Sequence, residues 1–296
     1  MPALKITVIT VCLNAVKTIG ATLRSVLNQN YPELEYIIVD GGSTDETLEI
    51  VDQYRYSLAH VISEPDRGIY DAMNKGIALS TGDVIGILNA DDLYAPWAIA
   101  TVTETADAHP ECGVFYGRVA IIDVALRKWT VYSQSPGNHE LLPNNMSIPH
   151  PTTFVRKSLY ERHGLFDESY AIAGDWDFML RLYRAGERFC FIDKVLAAFD
   201  NAGISSIPSR RLAAENRRVY FKHLDFISAL RNTIKMELRY CGRKAMNVMG
   251  VYRTYARFRD NKILLVDASG AYTGDDIWAN LPQSEQTGHF LSTSSS

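Results

Sequence analysis

Short apolar runs alternate with polar, helix-spaced stretches along the first part of the chain. Residues 5–12, Lys-Ile-Thr-Val-Ile-Thr-Val-Cys, are β-branched and predict a strand. After Asn14 the apolar positions Ile19, Leu23, Val26 and Leu27 recur at helical spacing until Pro32 ends the pattern. The same reading predicts strands over 34–39, 59–63 and 84–88, helices over 46–55 and 69–80, and a helix starting near Pro96. Further strand-like runs follow at 114–122 and 129–132. Such β-α-β-α alternation predicts an α/β fold, with a largely parallel sheet and helices on both faces. Polar residues follow each strand: Asn14, then Asp40, then Asp66 and Arg67, then Asn89 to Asp92. In open α/β sheets ligands bind beyond the carboxyl ends of the strands, so these four loops predict one nucleotide-sized cleft.

Composition changes this picture in one place. Hydrophobic residues at 47% and charged ones at 22% are ordinary for a globular protein of 296 residues. The net charge of −4, however, hides a split. Residues 210–262 hold 14 Lys and Arg against 4 Asp and Glu, while the first 209 hold 16 against 26. No apolar run approaches the roughly 20 residues of a membrane span, and the first residues run into a strand rather than a secretory leader. The four cysteines, Cys12, Cys112, Cys190 and Cys241, have no metal-binding or redox spacing. They are expected to be buried free thiols in a reducing cytoplasm.

Several residues carry candidate chemistry on their own. Asn89, Asp91 and Asp92 end an apolar strand with hard oxygen ligands, which suit Mg²⁺ or Mn²⁺ bridging to a diphosphate. The same carboxylates could instead cap the helix near Pro96. Arg67 could pair with phosphate oxygens or bridge to Glu64 or Asp66 on the surface. His150 could ligate the metal, touch phosphate or be structural. Neither the G-x-G-x-x-G fingerprint nor a Walker A loop occurs, so the glycines do not argue for NAD or for a P-loop.

The runs Val39-Asp40-Gly41-Gly42-Ser43-Thr44-Asp45, Asp66-Arg67-Gly68-Ile69-Tyr70-Asp71-Ala72-Met73-Asn74-Lys75-Gly76 and Asn89-Ala90-Asp91-Asp92 resemble those of family 2 glycosyltransferases, in the same order. Ala173-Gly174-Asp175-Trp176-Asp177 resembles the family segment that carries the catalytic base at the start of a helix. The resemblance spans about residues 5–200. It implies the GT-A fold with a mixed, mostly parallel sheet, and transfer of one sugar with inversion from a UDP- or GDP-type sugar donor. It implies donor contacts from Cys12, Asn14, Asp40, Asp66, Arg67, Asn74, Asn89, Ala90 and Asp91. A divalent metal, Mn²⁺ or Mg²⁺, would sit at Asp91 with Asp92 and His150, and Asp175 would be the base. The alternative for Asp175 is a helix cap; Asp177 is the second candidate, as base, acceptor contact or solvated carboxylate. Trp176 and Tyr70 could stack on a sugar or belong to the core.

Four departures stand out. Val11 and Cys12 replace a common Pro and Thr, Asn89 replaces the first Asp of Asp-x-Asp, and Gly174 replaces a frequent acidic neighbour of the base. The Q-x-x-R-W run of processive synthases is missing, which points to a single sugar addition. A lipid-linked saccharide acceptor in surface-polysaccharide synthesis is the implied partner. A non-catalytic sugar-nucleotide or glycan-binding protein and a sugar nucleotidyltransferase are the alternatives. The stretch 135–149 could be a connection or a cover over the substrate.

The expected organisation is a catalytic domain over 1–209, a basic amphipathic helical extension over 210–262 and a disordered tail over 263–296. In the extension, Phe226, Leu230, Ile234 and Leu238 form one stripe and Arg231, Lys235, Arg239 and Arg243 form the next. Two readings stay open: the helix lies on an anionic membrane surface, or its apolar stripe packs on the catalytic domain. Nucleic acid is not an expected partner, since no binding module is present. The expected location is cytoplasmic, peripheral on the inner face of the plasma membrane.

Overall fold

The computed structural model describes residues 3–123, 128–132, 137–200, 209–248 and 263–264. Four parallel strands lie side by side in the order β3 (His60–Ser63), β2 (Leu34–Asp40), β1 (Ile6–Cys12) and β4 (Val84–Ile87). Each is followed by a polar loop at its carboxyl end, as the sequence pattern predicts. Beyond β4 the sheet turns antiparallel. β8 (Thr153–Arg156) joins β4 to β6 (Val114–Asp123), and β6 pairs with β7 (Lys128–Tyr132). A long strand, β9 (Phe189–Asp200), runs parallel to β6 and antiparallel to the short β5 (Leu93–Tyr94). A two-residue β10 (Ile263–Leu264) pairs with β7, inside the stretch expected to lack order.

Helices cover both faces because β1 buries residues on both. Ile6 and Val8 pack with α1 (Ile19–Leu27) and α4 (Ala98–Ala108) on one side. Ile9 and Val11 pack on the other, in a core shared with α3 (Ile69–Leu79), α5 (Lys157–His163), α6 (Gly174–Arg184) and α7 (Arg210–His223). α2 (Thr47–Asp52) follows β2 and is shorter than the predicted 46–55. At the centre of the sheet Gly86 leaves room for two rings. A Cβ there would lie 2.5 Å from a Phe154 ring carbon and 2.6 Å from the Tyr94 hydroxyl.

One expectation is corrected. Cys112 and Cys190 are joined in a disulfide, whereas Cys12 is a buried free thiol and Cys241 an exposed one. The parallel pairing of β6 with β9 brings the two sulfurs together across 78 residues of sequence, a proximity that spacing cannot reveal. The described part of the basic stretch forms two helices: α7 stops at His223, and α8 (Phe226–Val248) starts beyond Asp225, whose carboxylate accepts the Ser228 N–H at 3.0 Å. Residues 249–262 lie outside the described residues.

Candidate active site

The register of the parallel strands places Cys12, Asp40 and Ser63 in one row at their carboxyl ends. Asp40 is fully buried. Its carboxylate accepts from the Gly42 and Ser43 N–H groups at 3.1 and 3.0 Å, from Ser63 Oγ at 2.7 Å and from Ser43 Oγ. Burial opposes its ionisation, but these donors outweigh burial and hold its pKa below the usual range. Asp40 thus builds the turn that carries Gly41 and Gly42. Asn14, in the left-handed region at φ 51°, ties β1 to that turn: its Oδ1 accepts the Thr44 N–H at 2.8 Å. Cys12 is buried beside Asp40, and burial together with that carboxylate pushes its thiol pKa up. Asp66 lies over Gly41, where a Cβ would overlap its carboxylate, and accepts the Gly68 N–H at 2.9 Å.

Arg67 is exposed and pairs with Asp71 at 2.9 Å and Glu168 at 2.6 Å, not with Glu64 or Asp66. Glu64 is taken by Lys75 at 2.8 Å. Asn74, expected at the donor, is buried and spends its amide on Phe166, donating to its carbonyl and accepting from its N–H, each at 3.0 Å. Both contacts fasten α3 to the loop that precedes α6.

There Asp175 stands in the first turn of α6. It is not the cap of that helix: Ala173 holds that position, without a side-chain bond. Asp175 Oδ1 accepts the Trp176 N–H at 2.8 Å and the Tyr70 hydroxyl at 3.2 Å. Burial raises its pKa above the ordinary carboxylate value, while the neighbouring His150 pulls the other way. Burial likewise depresses the His150 pKa, and its Nε2 has no hydrogen-bond partner. Gly174 explains one departure from the family pattern, because a Cβ there would meet the Tyr70 ring at 2.7 Å. An acidic side chain at 174 would displace the ring that holds Asp175.

The other two members of this run are structural. Trp176 is buried on Tyr220 and donates its Nε1–H to the Leu142 carbonyl at 2.8 Å. Asp177 is wholly buried, 2.8 Å from both His223 Nε2 and Lys222 Nζ. It is neither solvated nor placed to touch an acceptor. Both partners come from α7, and α7 supplies a third anchor. Glu215 accepts the N–H groups of Ala171, Ile172 and Ala173 at 3.1, 2.8 and 3.0 Å, so one carboxylate gathers the backbone leading into Asp175. Sequence reasoning missed Glu215, Lys222 and His223. The stretch 137–149 is also tied down. Consecutive carbonyls at Leu142, Pro143 and Asn144 accept from Trp176, Asn232 and Tyr220.

After β4, Asp91 is exposed while Asp92 is buried, near Tyr94. Neither caps α4, which begins at Ala98 without a side-chain cap. The three residues expected as metal ligands do not gather: no group of three or more His, Cys, Asp or Glu among the described residues could hold an ion. Asp91 and Asp92 differ in exposure, and His150 lies by Asp175 instead. What the turn does offer is oxygen. Asn89 Oδ1 is buried without a partner, two residues from the exposed Asp91 carboxylate. That donor set fits a hard cation that keeps waters and shares a diphosphate.

The family model described as glycosyl transferase family 2 matches residues 7–164. A PGL/p-HBAD biosynthesis glycosyltransferase of Mycobacterium bovis is 32% identical over 187 residues, covering 62% of this chain and 71% of the relative. The fold is similar to that of S. aureus TarS 1–349 in complex with UDP-GlcNAc (TM-score 0.61, 20% identity, 75% of this chain and 68% of that one). It is also similar to the mannosyltransferase PcManGT of Pyrobaculum calidifontis in complex with GDP-Man and Mn²⁺ (TM-score 0.52, 22% identity, 78% and 64%).

Proposed function

We propose, for a chain that belongs to glycosyl transferase family 2 and has the GT-A fold, that it moves one sugar with inversion from a UDP- or GDP-type donor to a hydroxyl of a lipid-linked saccharide. The observation that carries the reading is Asp175, a carboxylate whose ionisation burial disfavours, held by Tyr70 where the first turns of α3 and α6 meet. A base of raised pKa suits removal of the acceptor proton, a contribution of roughly 10²–10⁴-fold. Attack on the face opposite the leaving diphosphate inverts the anomeric centre.

The donor would lie over the strand ends. Asn14 and the Asp40–Ser43 turn border the nucleoside, with Cys12 beneath, and the loop of Asp66 and Arg67 flanks it. Ala90, whose carbonyl is fixed by Thr22 Oγ1 at 2.9 Å, sets the Asn89–Asp92 turn at the phosphates. Asp91 with Asn89 would hold Mn²⁺ or Mg²⁺, which when bound neutralises charge on the leaving diphosphate. Support for a nucleotide-sugar donor comes from the related folds that hold UDP-GlcNAc and GDP-Man. Calorimetric titration with UDP and with GDP, each with and without Mn²⁺, tests this. Binding of one of them that strengthens with Mn²⁺ and is lost in Asp91→Ala is expected. Metal-independent binding would remove Asp91 from the role.

A further inference from the structure

The described part of α8 contradicts the expectation for a helix that packs through its apolar stripe. The stripe points outward. Phe226, Ile227, Leu230, Ile234 and Leu238 are 43–79% exposed, and α8 instead rests on the core through Ala229, Asn232 and Met236. At 100° per residue the five apolar positions span an arc of about 120°. Arg231, Lys235 and Arg239 occupy the adjoining arc, and none makes an ion pair among the described residues. The partly exposed Phe221 extends the patch, 6.0 Å from the Phe226 ring. So many large apolar side chains on one solvent-facing arc mark a surface that something covers.

Charge selects the occupant. The cations of α7 that face the core are consumed: Lys222 by Asp167 and Asp177, Arg218 by Asp167. Those of α8 are left facing out beside the apolar arc, the arrangement of a helix lying in an interface with negative headgroups along its flank. We propose that the outer face of α8 docks on an anionic lipid bilayer. Phe226, Leu230, Ile234 and Leu238 enter the boundary between headgroups and acyl chains, while Arg231, Lys235 and Arg239 meet headgroup phosphates. The proposal stands apart from the sugar-transfer reading, and its test uses no donor.

The test is co-sedimentation of the full chain with vesicles of phosphatidylcholine alone or mixed with phosphatidylglycerol. Binding to the mixed vesicles that weakens with added salt is expected, with little binding to the neutral ones. The double variant Leu230→Glu/Ile234→Glu should lose roughly tenfold or more in affinity, and Lys235→Gln roughly fivefold. Both changes are at exposed positions, and an unchanged thermal transition shows that the fold is kept. Equal binding by parent and double variant would overturn the proposal. So would failure of the parent to sediment with either vesicle. A dimer in light scattering that Leu230→Glu/Ile234→Glu dissociates, without vesicle binding, would assign the face to a second copy instead.

Discussion

Asp175 is made more basic by the same burial that makes its charge costly. Its folded pKa lies above the unfolded value, so the ionised form favours the unfolded chain, and the penalty persists at every pH above that folded pKa. Asp175→Asn removes the charge and can keep the oxygen that accepts from Trp176 and Tyr70. It should lower transfer by roughly 10²–10⁴-fold, leave donor affinity unchanged and raise the thermal midpoint at neutral pH. Calorimetry and a transfer assay on one preparation check all three. In the proposed role Asp175 acts only when ionised, so activity of the parent should fall on acidification at a pH above that of an ordinary aspartate. A profile that stays flat down to the usual Asp range would remove Asp175 as the titrating group.

At the scale of elements, α7 holds the backbone that leads into α6 and Asp175. Glu215→Ala would leave three amides without their partner, at about 1–3 kcal/mol of stability for each that water does not reach. The expected kinetic signature is a lower kcat with the donor KM unchanged, partly restored in Glu215→Gln, which keeps one acceptor oxygen. A KM change without a kcat change would contradict it. Asp177→Ala strips a buried carboxylate from His223 and Lys222 and should cost about 3–5 kcal/mol in denaturant unfolding. These contacts also show where the sequence was silent. Strands β1 to β4 and their helices are legible because local periodicity and turn residues define them. The motif marks Asp175 for the same reason. Glu215, Lys222 and His223 lie in a stretch whose 14 basic residues suggest a separate extension, and their partners are more than 40 residues away. No local pattern reports such a contact.

For the whole molecule, the antiparallel half follows the same logic. β9 pairs with β6 across about 75 residues, so neither its existence as a sheet member nor the Cys112–Cys190 link could be read from spacing. Thiol titration of the unfolded chain should find two free groups, Cys12 and Cys241, and four after reduction. Reduction should lower stability by about 2–4 kcal/mol; four free thiols before reduction would contradict the link. The outward stripe of α8 was visible as a pattern, but its direction was not, because amphipathicity fixes a face without saying what that face meets.

The grip of Glu215 on residues 171–173 also sets an order on biosynthesis. The loop leaves the ribosome 42–44 residues ahead of the carboxylate that holds it. Until α7 has emerged and folded back, a nascent chain lacks the anchor for the residues that lead into Asp175. A product truncated before residue 215 would lack the carboxylate that gathers the backbone leading into α6, and on the proposed reading it should bind donor without transferring the sugar.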